Sequence, residues 1–175
     1  MRPIYESDDL TIRPYQPSDA DDLARLANNP KIAANLKNVF PHPYTRADAD
    51  AWIAMTATNP SMTENWAVIW KNEFAGGIGL QRKSDVYERT TAVGYWLGEP
   101  FWGQGIATQA VQAVTRHAFA DTRILRLEAG VYSFNPASAR VLEKAGFVFE
   151  GRHRDAIWKN GVAADLLMYS RIRTD

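Results

Sequence analysis

Two glycines, Gly103 and Gly105, lie between a segment of strand character and a segment with helical spacing. Glycine lets a backbone come close to a phosphate, and the free N–H groups of a helix's first turn point at a bound anion. The remaining positions of this turn carry neutral side chains: Gln104, Ile106, Ala107 and Thr108. The pattern predicts an anion-binding turn, although a plain tight turn explains the glycines alone equally well.

The missing carboxylates separate these two interpretations. No aspartate or glutamate occurs from Phe101 to Ala120, although these residues are usual in the first turn of a helix. A carboxylate at that position would repel a bound anion. Their absence therefore favours the anion-binding turn.

A second segment has the residues of a short capped helix. Asn135 is suited to cap it, Pro136 to occupy its first position, and Gly146 to end it. These roles explain the segment without any function. Ser138 lies one turn after the cap, where its hydroxyl either bonds to the backbone or faces a ligand.

The composition limits the class of protein. The chain has 175 residues, 20 lysines and arginines against 20 aspartates and glutamates, and no cysteine. Balanced charge gives no global attraction to nucleic acid or to an anionic membrane, and no stretch approaches the roughly 20 apolar residues of a membrane span. The lack of cysteine excludes disulfides, thiolate metal sites and a cysteine nucleophile. We expect one domain over residues 8–172, in the cytoplasm, as a monomer or homodimer.

Hydrophobic periodicity supplies the elements that must position these residues. Strands are predicted over 8–15, 66–70, 74–80, 90–98, 126–132, 147–151 and 164–170. Helices are predicted over 19–28, 46–58, 106–120 and 137–145. The order β-α-α-β-β-β-α-β-α-β-β indicates a mixed α/β (α+β) layer fold.

The two site-bearing segments occur together with a third, and their order resembles the acetyl-CoA motifs of the GCN5-related N-acetyltransferase (GNAT) superfamily. The matching motifs are Tyr95-Trp96-Leu97, Trp102-Gly103-Gln104-Gly105-Ile106-Ala107-Thr108, Asn135-Pro136-Ala137-Ser138 and Val141-Leu142-Glu143-Lys144-Ala145-Gly146-Phe147. Further segments resemble the RimJ/RimL-type branch, which contains ribosomal-protein N-terminal acetyltransferases: Leu10-Thr11-Ile12-Arg13, Pro43-Tyr44-Thr45, Glu150-Gly151, Asp165 and Tyr169.

The resemblance implies a fold and a coenzyme site. The fold is a mostly antiparallel sheet of about six to seven strands with a central splayed parallel pair and about four flanking helices. The pantetheine arm of acetyl-CoA pairs with the backbone of the splayed strand at Trp96 and Leu97, and a backbone N–H near Leu97 stabilises the oxyanion. The pyrophosphate contacts the turn from Gly103 to Thr108, Asn135 contacts the pantetheine arm, and Ser138 approaches the sulfur.

The chain departs from the family pattern at three positions. Trp102 replaces the usual Gln or Arg, which weakens a side-chain contact but not the backbone cradle. Leu142 replaces a tyrosine that protonates the departing thiolate, so Ser138 is the remaining candidate. Gly130 replaces the glutamate base of RimI-like relatives. Glu128, on the same strand face, is either a base acting through water or a solvated edge charge.

Weaker candidates remain open. His42 and His153 are possible bases near neutral pH, and Arg152 and Arg154 could receive the coenzyme's 3′-phosphate or an acidic acceptor. Each is equally compatible with an ordinary surface position.

The expected reaction is acetyl transfer from acetyl-CoA, by direct attack, to a primary amine of a peptide N-terminus or a small molecule. No metal is expected. Two alternatives share the motifs: a small-molecule tailoring acetyltransferase, and an acyl-CoA-binding module without turnover.

Overall fold

The computed structural model describes residues 2–58 and 62–174. Within these residues one sheet contains β1 (Tyr5–Glu6), β2 (Leu10–Arg13), β3 (Thr63–Trp70), β4 (Glu73–Arg82), β5 (Thr90–Leu97), β6 (Arg126–Tyr132), β7 (Val148–Lys159) and β8 (Val162–Ile172). The helices are α1 (Ala20–Ala27), α2 (Pro30–Ala33), α3 (Arg46–Thr58), α4 (Ile106–Ala120) and α5 (Pro136–Lys144).

The sheet order is β1-β2-β3-β4-β5-β6-β8-β7, and β5 and β6 are its parallel pair. Parallel neighbours need a crossover connection, which α4 provides. The helix α4 packs against β2, β4 and β5, whereas α5 packs against β6, β7 and α4. This arrangement brings the N-terminal ends of α4 and α5 to the region where β5 ends.

Buried apolar side chains hold α4 on the sheet. Ile106, Val111 and Val114 are almost completely buried and follow the helical spacing seen in the sequence. Leu127 of β6 and Leu142 of α5 join the same cluster. The core therefore fixes the two helices that carry the predicted site segments.

The structure confirms the mixed sheet with a central splayed pair. The bounds of α3, α4 and β6 agree with the sequence prediction. The β3–β4 hairpin also agrees, and its turn residues Lys71 and Asn72 have φ angles of 50° and 68°, as two-residue hairpin turns require.

The sequence prediction missed the two-residue strand β1 and the single-turn helix α2, and it made β7 and β8 too short. In β7 the register shifts between Phe149 and Gly151 and again between His153 and Ile157. Such bulges interrupt the period-two pattern that identifies a strand. The final hairpin is therefore longer than its hydrophobic pattern indicates.

Candidate active site

The parallel strands β5 and β6 diverge after a short paired stretch. Their pairing covers Thr90–Ala92 against Arg126–Glu128 and does not continue toward Leu97. The predicted splay is confirmed. Beyond Ala92, the edge of β5 that faces β6 has no strand partner in the described sheet.

The hydrogen bonds on the other side of β5 show which backbone groups face this gap. The N–H of Gly98, just after β5, donates to the carbonyl of Ala75 in β4 at 2.8 Å. In an antiparallel pair the hydrogen-bonded and non-hydrogen-bonded residues alternate. The backbone groups of Leu97 and Tyr95 therefore point away from β4 and into the gap.

A cleft of about 460 Å³ begins in this gap and ends at the first turns of α4 and α5. It brings together nearly all the residues predicted to bind the coenzyme: Trp96, Leu97, Gly103, Gly105, Ile106, Ala107, Thr108, Asn135 and Ser138. Gln104 is the exception, because its side-chain amide turns back and donates to the carbonyl of Pro100 at 2.9 Å. Its predicted contact is therefore limited to the backbone.

The turn before α4 has an exposed set of backbone donors. Gly103 and Gly105 have φ angles of 75° and 78°, and a Cβ added at either would meet nothing within 4 Å. Gly105 caps α4 without a side-chain hydrogen bond, and the N–H of Gln109 is the one that bonds to the Gly105 carbonyl. The preceding N–H groups of the first turn have no intrahelical acceptor. The open space and free donors fit a phosphate group.

Trp102 connects this turn to the end of β5. Its indole Nε1–H donates to the carbonyl of Leu97 at 2.8 Å. The side chain that replaces the usual Gln or Arg thus holds the turn against the splayed strand. This contact of Trp102 was not predicted from the sequence.

Ser138 lies at the other end of the cleft, in the first turn of α5. The side chain of Asn135 caps this helix by accepting from the Ser138 N–H at 3.2 Å. The phenol oxygen of Tyr95 lies 2.8 Å from the Ser138 hydroxyl oxygen and 3.1 Å from its carbonyl oxygen. Burial raises the pKa of Tyr95 to about 12. The phenol is therefore a protonated hydrogen-bond donor near neutral pH.

A comparison with protein families decides the class of this chain. Residues 9–148 match the model of the acetyltransferase (GNAT) domain. The chain belongs to the GNAT family. It is therefore an N-acetyltransferase of this family.

Individual relatives of this GNAT chain agree with that assignment. The ribosomal-protein-serine acetyltransferase of Escherichia coli (strain K12) is 31% identical over 105 residues, which covers 60% of this chain and 59% of the relative. The uncharacterized N-acetyltransferase YoaA of Bacillus subtilis (strain 168) is 26% identical over 182 residues, covering 99% and 98%. Among solved structures, the RimL ribosomal L7/L12 alpha-N-protein acetyltransferase in complex with coenzyme A has a TM-score of 0.87 at 25% identity, and the match covers 98% of each chain.

Leu142 on α5 and Gly130 on β6 occupy the two positions where the family pattern has a titratable residue. Leu142 is completely buried, and its hydrocarbon side chain has no proton to give. A Cβ added at Gly130 would lie 2.9 Å from the Leu166 side chain. A glutamate at this position would therefore displace the neighbouring leucine of β8.

Glu128 does not line the cleft among the residues that the structure describes. Its carboxylate forms ion pairs with Lys83 and, at 3.5 Å, with Arg126. It lies opposite Ala92, in the paired part of β5 and β6. Its role as a base acting through water stays a hypothesis, and both ion pairs favour a structural role.

The other candidates lie away from the cleft. Arg152 forms an ion pair with Asp165 at 3.3 Å, and neither Arg154 nor His153 lines the cleft. His42 lines a separate cavity. The cations that do line the cleft are Lys31, Arg140 and Lys144. Arg140 and Lys144 are spaced i,i+4 on α5, and this spacing was a sequence signal that both lie on one helix face.

Residues 2–58 and 62–174 also bear on two other kinds of site, metal centres and membrane spans. These residues contain no group of three or more His, Asp or Glu side chains able to hold a metal ion. None of their helices is both long enough and apolar enough to cross a membrane.

Proposed function

We propose that this N-acetyltransferase transfers the acetyl group of acetyl-CoA to a primary amine by direct attack in a ternary complex. One observation carries the proposal. The gap between β5 and β6 is continuous with a helix N-terminus that has free N–H groups and no carboxylate in its first turn. This cleft fits an elongated ligand with an anionic group at one end.

Residues of the chain bind acetyl-CoA along the whole length of that co-substrate. The free N–H groups of the first turn of α4 hold the pyrophosphate, with the helix dipole behind them. The backbone groups of Tyr95 and Leu97 that face the gap bind the pantetheine arm, and Asn135 contacts the same arm. Coenzyme A is present in the similar RimL structure. Acetyl-CoA supplies an activated thioester carbonyl, and the N–H of Leu97 polarises its oxygen.

Ser138 stabilises the leaving thiolate. Ser138 lines the cleft, and the Tyr95 phenol lies within hydrogen-bond distance of both its hydroxyl and its carbonyl oxygen. A hydrogen bond is sufficient here, because a thiol of pKa about 8.5 is already a tolerable leaving group. Tyr95 and Ser138 together thus perform the role of the family's thiolate-protonating tyrosine, whose position is Leu142 in this chain.

The acceptor is an amine that is readily deprotonated. An α-amino group has a pKa of about 7.7 to 8.0, whereas a lysine side chain has about 10.4. A peptide N-terminus therefore needs less help from a base than lysine does. The similar E. coli protein is a ribosomal-protein-serine acetyltransferase, and RimL is a ribosomal L7/L12 alpha-N-protein acetyltransferase. Because the chain has no cysteine, the obvious covalent carrier for a two-step scheme is missing.

The experiment measures CoA release with acetyl-CoA and a panel of peptides, polyamines and amino acids. We expect turnover with free peptide N-termini and none with N-terminally blocked controls. Turnover with small amines alone would replace the peptide acceptor by a small-molecule acceptor. Tight acetyl-CoA binding in calorimetry without CoA release on any amine would contradict the enzymatic proposal and indicate a binding module.

A further inference from the structure

A second cavity, of about 290 Å³, lies between α2, the segment 38–42 and the turn of the final hairpin. Polar or aromatic residues line it from two parts of the chain: Asn38, Phe40, His42, Lys159 and Asn160. No carboxylate lines it. Among these lining residues Lys159 is the one with a side chain that is ordinarily cationic at neutral pH.

Lys159 is a buried cation, with 9% of its surface exposed. Its ammonium group donates to the carbonyl of Leu36 at 2.7 Å and to the side-chain oxygen of Asn38 at 2.9 Å. In the described part of the chain no carboxylate forms an ion pair with it. A buried charge is normally paired, and an ammonium has three donors, of which two have partners here.

The two neutral oxygens satisfy hydrogen-bond donors of the ammonium group but supply no opposite charge. Lys159 thus lines a cavity in which none of the described lining residues carries a carboxylate. The missing negative charge is then brought by a ligand. We propose that Lys159 and its cavity bind an acidic group of the amine acceptor, an inference that rests on the proposed function.

The thickness of the wall between cavity and cleft is a lower bound on the distance from this group to the reacting amine. Ile32 and Leu36 line the cleft, whereas Ala33 of α2 and the following Ala34 line the cavity. The ring of Phe40 lies in the cavity and packs against Trp96 of β5 at 5.9 Å between ring centroids. A helix with its side chains is about 10 Å across, the length of about three extended residues. The acidic group therefore belongs to the third or fourth residue of a peptide acceptor.

The experiment compares matched acceptors by CoA release. One arm uses amidated alanine pentapeptides with a free N-terminus and either Asp or Asn at position two, three or four. The other arm uses 8-aminooctanoate and its amide, which distinguishes a small acidic amine from a peptide. In the wild type we expect KM for the acidic acceptor to be on the order of tenfold lower than KM for its neutral counterpart in one of the two arms. If this is the peptide arm, we expect the difference with Asp at position three or four.

The decisive variant is Lys159→Met, which keeps the length of the side chain and removes its charge. We expect it to lose the preference for the acidic acceptor while KM for acetyl-CoA and kcat for the neutral acceptor stay near the wild-type values. Lys37→Met is the matched control, because Lys37 is exposed in the neighbouring segment and lines neither cavity. Lys159→Gln, checked by thermal unfolding, replaces the methionine variant if that variant does not fold.

The results separate this inference from the proposed function. Equal KM values for acidic and neutral acceptors in both arms overturn the acidic subsite but leave the acetyltransferase activity intact. An equal rise in KM for both members of a pair in Lys159→Met also overturns it, since that result describes a structural clamp on Leu36. Absence of turnover on every amine overturns the proposed function itself, and the inference with it.

Discussion

The phenol oxygen of Tyr95 lies 2.8 Å from the hydroxyl oxygen of Ser138, across the gap between β5 and α5. The two residues are 43 positions apart in the chain. Because burial keeps the phenol protonated, Tyr95 can donate to Ser138 and leave the serine proton available to a ligand in the cleft. This pair supports the leaving-group role that Leu142 cannot perform.

Replacing Ser138 by alanine should lower kcat by roughly 10- to 100-fold, or about 1.4 to 2.7 kcal/mol, while the Kd for acetyl-CoA stays near normal. The reason is that the hydroxyl contributes when negative charge develops on sulfur. Steady-state kinetics and calorimetry measure the two quantities. Full activity of Ser138→Ala would remove the residue from the mechanism and leave it as a helix-start serine.

Replacing Tyr95 by phenylalanine should lower kcat by a smaller factor, roughly three- to tenfold, because it removes one hydrogen bond to Ser138 and keeps the ring. The double variant with Ser138→Ala should be no slower than Ser138→Ala alone, since Tyr95 acts through the serine. Additive losses in this double-mutant cycle would show an independent role for the phenol. With its pKa raised to about 12, Tyr95 should cause no change in rate between pH 6 and about 10.

Replacing Gly105 by valine should abolish acetyl-CoA binding measured by calorimetry. The φ of 78° is unfavourable for a β-branched residue, and the added side chain enters the open space before the α4 donors. Gly161→Val is the matched control, because Gly161 has a φ of 79°, equally open space and a position in the final hairpin turn. Similar thermal unfolding of both variants, with binding lost in one, is the expected result. Unchanged affinity in a folded Gly105→Val protein contradicts the cradle.

Replacing Trp102 by phenylalanine should weaken acetyl-CoA binding by roughly two- to tenfold, the value of one hydrogen bond. The change removes the indole donor to the Leu97 carbonyl, 2.8 Å away, and keeps an aromatic ring at a partly exposed position. The turn would then be held less firmly against β5. An unaltered Kd would mean that the backbone alone positions the turn.

Replacing Glu128 by glutamine should leave the pH dependence of turnover unchanged, because the carboxylate is engaged by Lys83 and Arg126 outside the cleft. A modest loss of thermal stability is expected from the weakened ion pairs. The hypothesis that Glu128 is a base acting through water makes the opposite prediction, namely a loss of turnover at neutral pH that shrinks as pH rises. A pH–rate profile of the purified variant distinguishes the two.

Local signals in the sequence determined much of this protein. The helical spacing of α4, the cap and stop residues of α5 and the glycines of the cradle depend on interactions within a few residues, so they are readable from one segment at a time. The family motifs then indicated the splayed pair and the coenzyme cleft. These predictions agree with the element bounds and with the residues that line the cleft.

Only the tertiary structure decided which side chains meet. The contact of Tyr95 with Ser138, the ion pair of Glu128 with Lys83 and the hydrogen bond from Lys159 to the Leu36 carbonyl join distant segments, the last across 123 positions. Spacing along the chain carries no information about such pairs, because sheet register, strand bulges and helix packing bring them together. The catalytic partner of Ser138 and the buried charge of Lys159 follow from packing between elements that are distant in the sequence.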